Sequence, residues 1–286
     1  MGEAVRVAVV GLGLIGGSLA AALRRAGGYV VVGVDRDRGA LEWALARGVV
    51  DEAADDAERG VEGAGLVVVA VHVGSIVPVV RSLAPHLRPG TVVTDVGSVK
   101  EAVVEAAEAA LAPLGVRFVG GHPIAGRELS GVRNADPGLF EGRIAVLTPT
   151  ASTEAGALER VRSMWEAAGS RVVTMDPAEH DRVFAWVSHL PHAVAYALVA
   201  AVLGGPDQRL ARYAGGGFAD FTRIAASSPE MWRDIFLANR PRVLEAIEGF
   251  RAALGELEQV LRSGEEVRLL EVLDRAARLK RGGRGR

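Results

Sequence analysis

Short β-branched runs alternate with Ala/Leu-rich helical periodicity through the first part of the chain. Val5–Val10, Val30–Asp35, Leu66–Val71, Thr91–Asp95, Val116–Val119 and Ile144–Leu147 have the length and apolar continuity of buried strands. Helical patterns such as Ser18–Arg25, Gly39–Ala46 and Val99–Leu111 fall between them. This alternation predicts an α/β fold built on a doubly wound parallel sheet. Thr153–Ala168 and Arg171–Thr174 add one more helix and strand that close the unit.

After Met175 the strand signal stops. Ala178–Val202 is strongly helical, with a kink expected at Pro191. Gly204–Pro206 breaks the pattern, Leu210–Ala214 is a short helical piece, and Gly215–Gly217 reads as a turn. Ser228-Pro229-Glu230 is a helix start, with a capping hydroxyl and a proline in the first turn. Farther on, Val243, Ile247, Phe250, Leu254, Leu257 and Leu261 repeat at spacings of 4, 3, 4, 3 and 4, which is a seam for packing against another helix. A last helix, Glu265–Leu279, precedes a Gly/Arg tail. The expected division is therefore residues 1–175, α/β, and 176–286, all-helical. A seam of about five turns favours homodimerisation through the C-terminal helices over packing within one chain.

Composition narrows the function. With 33 basic and 35 acidic side chains, the net charge of −2 argues against nucleic-acid binding. The absence of cysteine excludes disulfides, iron–sulfur clusters and thiolate zinc, and fits a reducing compartment. No uninterrupted apolar run approaches the ~20 residues of a membrane span, and no signal-peptide pattern opens the chain. The expectation is a cytoplasmic protein without membrane or nucleic-acid partners. Lys100 and Lys280 are the two lysines among those 33 basic residues; the rest are arginine.

Gly11, Gly13 and Gly16 form a GxGxxG fingerprint directly after the first strand and at the opening of a helix. The first glycine permits the tight turn, the second lets backbone approach a pyrophosphate, and the third allows close helix–strand packing. Leu14 and Ile15 lie within this loop, whose N–H groups face phosphates at the helix's positive end. Asp35 ends the second strand 19 residues past Gly16, where a carboxylate accepts from ribose hydroxyls and repels a 2′-phosphate. NAD is thus favoured over NADP in a Rossmann-type domain, with Arg36 and Arg38 weighing the other way.

Two polar clusters follow strands whose carboxyl ends border such a site. In Asp95–Lys100, Ser98 forms a capping box with Glu101, and Lys100 reads either as a solvated helix lysine or as a compact ammonium retained for geometry. In Gly120–Glu128, glycines flank His122, an imidazole able to take a hydroxyl proton as hydride leaves carbon; the competing reading is a buried or capping histidine. His189 and His192 share one helix face, but no carboxylate follows at ligand spacing, so no metal is expected. Asp220 and Arg223 form either a surface ion pair or a gated arginine for an anionic substrate, and Trp232 either walls a ring-shaped ligand or sits in the core.

Taken together, GLGLIGGS, DVGSVK, GGHPIAGRELSGV, VSHLPHA, GGGFADFTRIA and SSPEMWRDIF resemble the prephenate/arogenate (cyclohexadienyl) dehydrogenases over about residues 5–280. The resemblance implies oxidative decarboxylation in tyrosine biosynthesis: hydride passes to NAD, carbon dioxide leaves, and the ring becomes aromatic. By that resemblance His122 is the catalytic histidine and Ser98 lies near the 4-hydroxyl. His192 and Arg223 position the substrate, with Glu128, Asp220 and Trp232 as supporting pocket residues. The helical domain is then a dimerisation domain. The chain ends too soon for the sensing or mutase domains of some relatives, so the simplest site for any inhibition by tyrosine is the active site. Arg127 stands beside Glu128 where relatives vary. A 3-hydroxyacid dehydrogenase of the same plan is the nearest alternative, but its usual helical-domain lysine has no counterpart after residue 175 except Lys280 in the tail. A non-catalytic NAD-sensing dimer is opposed by the joint presence of His122, Ser98 and Arg223.

Overall fold

Alternate residues of the first strand, Val5–Val10 (β1), enter different apolar layers: Val7 and Val9 one, Ala8 and Val10 the other. Both faces of the strand are therefore buried, which is why it reads as a continuous apolar run. The computed structural model describes residues 4–127, 129–205 and 208–282. Among these, seven further strands follow: β2 (Tyr29–Val34), β3 (Glu52–Ala54), β4 (Leu66–Val69), β5 (Val92–Asp95), β6 (Arg117–Pro123), β7 (Ile144–Thr148) and β8 (Arg171–Thr174). The helices between them are α1 (Leu14–Ala26), α2 (Arg38–Ala46), α3 (Ala57–Val61), α4 (Val73–Leu83), α5 (Glu101–Leu111) and α6 (Ala155–Ala167).

The sheet order is β3-β2-β1-β4-β5-β6-β7-β8, parallel except where β7 runs against β6. That single antiparallel pair departs from an all-parallel sheet. The first residues of β6 pair with β5 and the last four, Gly120–Pro123, pair with β7. One apolar layer joins Leu19 and Leu23 of α1, Leu41 of α2 and Trp165 of α6 to the sheet. The other gathers Ile76 and Val80 of α4 and Val103 and Leu111 of α5. Helix α4 was not foreseen, because Pro78 inside it reads as a breaker. The three-residue edge strand β3 is too short to leave a periodic signal.

After β8 the described structure is helical: α7 (Pro177–Phe184), α8 (Leu190–Leu203), α9 (Gly216–Thr222), α10 (Pro229–Ala238), α11 (Arg240–Ser263) and α12 (Glu266–Gly282). The expected break at Pro191 appears one turn earlier, as a widened turn over Ala185–His189, and Pro191 itself sits harmlessly in the first turn of α8. Where a turn was expected at Gly215–Gly217, Gly216 already opens α9. Ser228 caps α10 as expected, its hydroxyl accepting from the Met231 N–H at 3.2 Å.

The chain resolves into two compact units, one ending at Asn239 and one beginning at Arg240. Within the first, α7 packs on α5 and α10 on α4, and Trp232 and Ile235 join the second apolar layer. In the second, α11 packs with α12, with Arg275 2.7 Å from Glu256. Of the seam residues on α11, Val243 is buried, whereas Phe250, Leu254 and Leu261 are exposed. The continuous helical stretch Pro177–Leu203 is, by length and composition alone, long and apolar enough to cross a bilayer. In the sequence its apolar run is interrupted by Ser188, His189 and His192, so no uninterrupted apolar run of that length is seen. Only 11% of its most apolar window is buried within the chain.

Candidate active site

The sheet reverses its direction of winding between β1 and β4, and the glycine loop lies at that crevice. Gly11 has φ +99°, which an L side chain rarely adopts. A Cβ on Gly16 would collide with the Gly11 carbonyl and lie 2.9 Å from the Ala70 Cβ at the end of β4. A Cβ on Gly13, by contrast, would meet nothing within 4 Å. Helix α1 starts at this opening with no side-chain cap and no acidic residue in its first turn. Its free N–H groups and positive end therefore face open space, the arrangement that receives a pyrophosphate. Leu14 turns its side chain into the core, leaving only its backbone for a ligand, while Ile15 is half-exposed. Asp35 follows β2, and its carboxylate accepts from the N–H groups of Leu12 at 2.7 Å and Asp37 at 3.0 Å, which braces the glycine loop. Arg36 is exposed; Arg38 pairs with Asp55 at 2.6 Å. The residues present fit a dinucleotide.

Farther along the same edge, β5 ends in Asp95 and β6 carries His122 three residues beyond its last pairing with β5. His122 is thus on the strand, opposite Val146 of β7, which continues past the Val116–Val119 run read from the sequence. The bare backbone at Gly121 lets β5 approach: a Cβ there would lie 2.7 Å from the Asp95 carbonyl. The Asp95 carboxylate accepts from Gly121 N–H at 3.1 Å and Gly97 N–H at 2.8 Å. Lys100, fully buried, ion-pairs with Asp95 and donates to the Gly121 carbonyl at 3.0 Å. It is neither a solvated helix lysine nor a substrate ligand. Burial pushes its ammonium below the usual lysine range, against the pull of Asp95.

The expected capping box is absent. Helix α5 begins at Glu101, and the groups that would be capped, the N–H of Lys100 and of Glu101, donate instead to Asp181 at 2.7 and 2.9 Å. Ser98 is left half-buried in the β5–α5 loop. Asp181 and its neighbour His180, both buried in α7, were not singled out in the sequence. Only the position of a His-Asp pair in the first turns of a helix begun by Asp176-Pro177 signals them. His180 Nδ1 lies 2.8 Å from Asp181 Oδ1, and His180 Nε2 lies 2.8 Å from His122 Nδ1. Phe184 stands edge-on to His122, with ring centres 4.8 Å apart. His122 is half-buried, and no hydrogen bond to its Nε2 is found among the described residues.

Asn239 extends the network, donating to the Asp181 carbonyl at 2.8 Å and lying 3.2 Å from His189 Nδ1. His192 stacks on Trp232 with ring centres 3.6 Å apart, and its Nδ1 donates to the Ser188 carbonyl at 2.9 Å. Trp232 is 5% exposed, so its indole is the floor beneath His192. Four of the chain's six histidines thus converge here. Burial lowers all four pKa values: His122 well below the ordinary imidazole range, with His180, Lys100 and His189 adding to the effect, and His189 to about 4. Neutral imidazoles are bases. Asp220 on α9 and Arg223 in the turn after it are exposed; Tyr196 of α8 anchors that turn through the Ser227 carbonyl at 2.9 Å. Glu128 lies outside the described residues.

A dinucleotide cradle after β1 and, at the same edge of the sheet, an imidazole held neutral on β6 suit removal of hydride from an alcohol carbon, and the class is that of a nicotinamide-dependent oxidoreductase. Residues 19–174 match the family described as prephenate dehydrogenase, nucleotide-binding domain, and residues 176–275 match prephenate dehydrogenase, dimerization domain. The chain belongs to the prephenate dehydrogenase family. It is 39% identical over 246 residues to a prephenate dehydrogenase of Bacillus subtilis, a match that covers 85% of this chain and 66%, just under two thirds, of that protein. It is 36% identical over 269 residues to the cyclohexadienyl dehydrogenase of Zymomonas mobilis, covering 93% of this chain and 91% of that one. The crystal structure of prephenate dehydrogenase from Aquifex aeolicus in complex with hydroxyphenyl propionate and NAD+ matches with TM-score 0.90 and 42% identity, over 98% of both chains.

Proposed function

We propose that this protein catalyses the NAD-dependent oxidative decarboxylation of prephenate to 4-hydroxyphenylpyruvate and/or of arogenate to tyrosine. The observation that carries the reading is His122: neutral, with Nδ1 engaged inward and Nε2 unengaged, at the strand edge that also bears the glycine cradle. Bound NAD supplies the hydride acceptor. His122 draws on the proton of the ring 4-hydroxyl as hydride departs and returns it to the phenolic oxygen, while the electron pair of the severed carboxylate enters the ring. Ser98 bonds to the same hydroxyl. His192, on its Trp232 floor, and Arg223 hold substrate carboxylate, with Glu128 and Asp220 in support. Aromatisation drives the step, so alignment and polarisation are the main demands on the protein.

The test is direct: purified protein with NAD or NADP and either cyclohexadienyl substrate, monitored at the NADH band. Formation of NADH with release of carbon dioxide supports the assignment; no turnover with any combination refutes it. The 3-hydroxyacid alternative finds no helical-domain lysine other than exposed Lys280.

The division at 175/176 into cofactor and helical domains carries a second part of the reading, a homodimer through the C-terminal helices. Exposed Phe250, Leu254 and Leu261 on α11 and the little-buried α8 support it. Sedimentation of the intact protein as a monomer at micromolar concentration would remove it. Tyrosine, sharing the phenolic ring of the product, inhibits at the active site, and the enzyme works in the cytoplasm.

A further inference from the structure

We infer that His180 and Asp181 set the tautomer of His122, so that its Nδ1 carries the hydrogen and its Nε2 the lone pair. The inference rests on reading His122 as the proton acceptor. Its starting point is the carboxylate. Asp181 is 2% exposed and held from three sides: its oxygens accept from the N–H groups of Lys100 and Glu101, and Asn239 donates to its carbonyl. A carboxylate fixed in this way accepts hydrogen bonds and donates none.

His180 Nδ1, at 2.8 Å from Asp181 Oδ1, must therefore be the N–H. A neutral His180 then offers a lone pair at Nε2, and the His122 Nδ1 at 2.8 Å must donate to it. What remains on neutral His122 is a bare Nε2. Were His180 protonated instead, its Nε2–H would demand the lone pair of His122 Nδ1 and move the hydrogen to the nitrogen meant to act as base. The charged or titratable groups that bear on this pair are Lys100, His189, Asp95 and Asp181. Burial outweighs the two carboxylates and keeps His180 neutral at ordinary pH. The same Asp181 oxygens hold the start of α5, so the base and the loop bearing Ser98 are registered to one carboxylate. His180 and Asp181 are positioning residues: they touch the base, not the substrate.

The experiment uses the full chain labelled with 15N-histidine, its His122 signals assigned through His122→Asn. Ring-nitrogen NMR of the substrate-free protein at neutral pH is expected to show His122 protonated at Nδ1 and bare at Nε2. A His122 bearing its hydrogen on Nε2 overturns the inference. This readout is independent of turnover, so it stands or falls separately from the proposed activity. In kinetics, His180→Gln places an amide oxygen where Nε2 stood and is expected to keep kcat within about tenfold. His180→Leu supplies no acceptor and is expected to lower kcat by about 10²–10⁴ with the substrate KM within about threefold. A His180→Leu enzyme within tenfold of the parent, or equal losses in the two variants, overturns it. If the leucine variant does not fold, the NMR of the parent and of the glutamine variant decides.

Discussion

Replacing Lys100 by methionine tests whether the buried pair with Asp95 organises the β5–β6 edge. Methionine fills most of the volume of the lysine stem, so little cavity is created. What is lost is electrostatic: the Asp95 carboxylate keeps the N–H groups of Gly97 and Gly121 but loses its counter-charge, and the Gly121 carbonyl loses its donor. Both members of the pair are 0% exposed, so water cannot replace the ammonium. Removing one partner of such a pair costs about 3–5 kcal/mol. Against a typical total of 5–15 kcal/mol, that is a large fraction of the stability. At about 2–4 °C per kcal/mol for a unit of this size, the melting temperature should fall by roughly 10 °C.

Lys100→Arg keeps the charge but forces a larger planar head into a space shaped for an ammonium, an overpacking worth about 1–3 kcal/mol. The expected order of stability is parent, then arginine, then methionine. Urea unfolding followed by far-UV circular dichroism gives each free energy by linear extrapolation, with equal slopes as the check on comparability. A methionine variant within about 1 kcal/mol of the parent would refute the reasoning. An arginine variant as stable as the parent would remove the explanation for a lysine in an arginine-rich chain.

The glycine loop separates fit from fold: Gly13→Ala should leave the melting temperature unchanged and weaken NAD binding at least about tenfold by calorimetry, whereas Gly16→Ala should damage both, since its Cβ meets the Gly11 carbonyl. His122→Asn should lower turnover about 10²–10⁴-fold with little change in melting temperature, and retained turnover would exclude the base role. Acid should destabilise the fold. His189 titrates at about 4 when folded against 6.5 when exposed, so between those values the unfolded chain binds the extra proton and stability rises with pH. About 3 kcal/mol is therefore present above pH 6.5 and lost as pH falls to 4, with His122 and His180 acting in the same direction. Urea unfolding from pH 7.5 to 4.5 should show a smaller loss in His189→Asn than in the parent.

Legibility in the sequence followed the range of the interactions involved. The long apolar strands and the glycine fingerprint were readable because each is determined within about ten residues: β1 alternates between two layers, and Gly11, Gly13 and Gly16 have separate jobs inside one turn. His122 was readable as chemistry, an imidazole at the sheet's carboxyl edge, but not as part of the strand, because the β-branched run ends at Val119 and β6 continues to Pro123. In the folded chain Gly120 and Gly121 let β7 and β5 close on β6. Ser98 with Glu101 looked like a cap because the motif is local, yet Asp181, 80 residues beyond Glu101, took the position.

That substitution explains why His180 and Asp181 left no trace in the sequence reading. A carboxylate that caps a distant helix and orients an adjacent imidazole has no characteristic spacing; it is defined by where α7 lies on α5. Lys100 shows the same coupling from the other side. Its backbone N–H binds Asp181, and its ammonium binds Asp95 and the carbonyl one residue before His122. Stability and chemistry thus depend on the same few atoms, and a mutation at Lys100 should disturb the position of His122 even where the fold survives. The buried charges are costly to enclose. Their enclosure ties the ends of β5 and β6, the start of α5 and the first turns of α7 into one polar cluster, and it is this cluster that holds a neutral imidazole at the sheet edge where the glycine loop also lies.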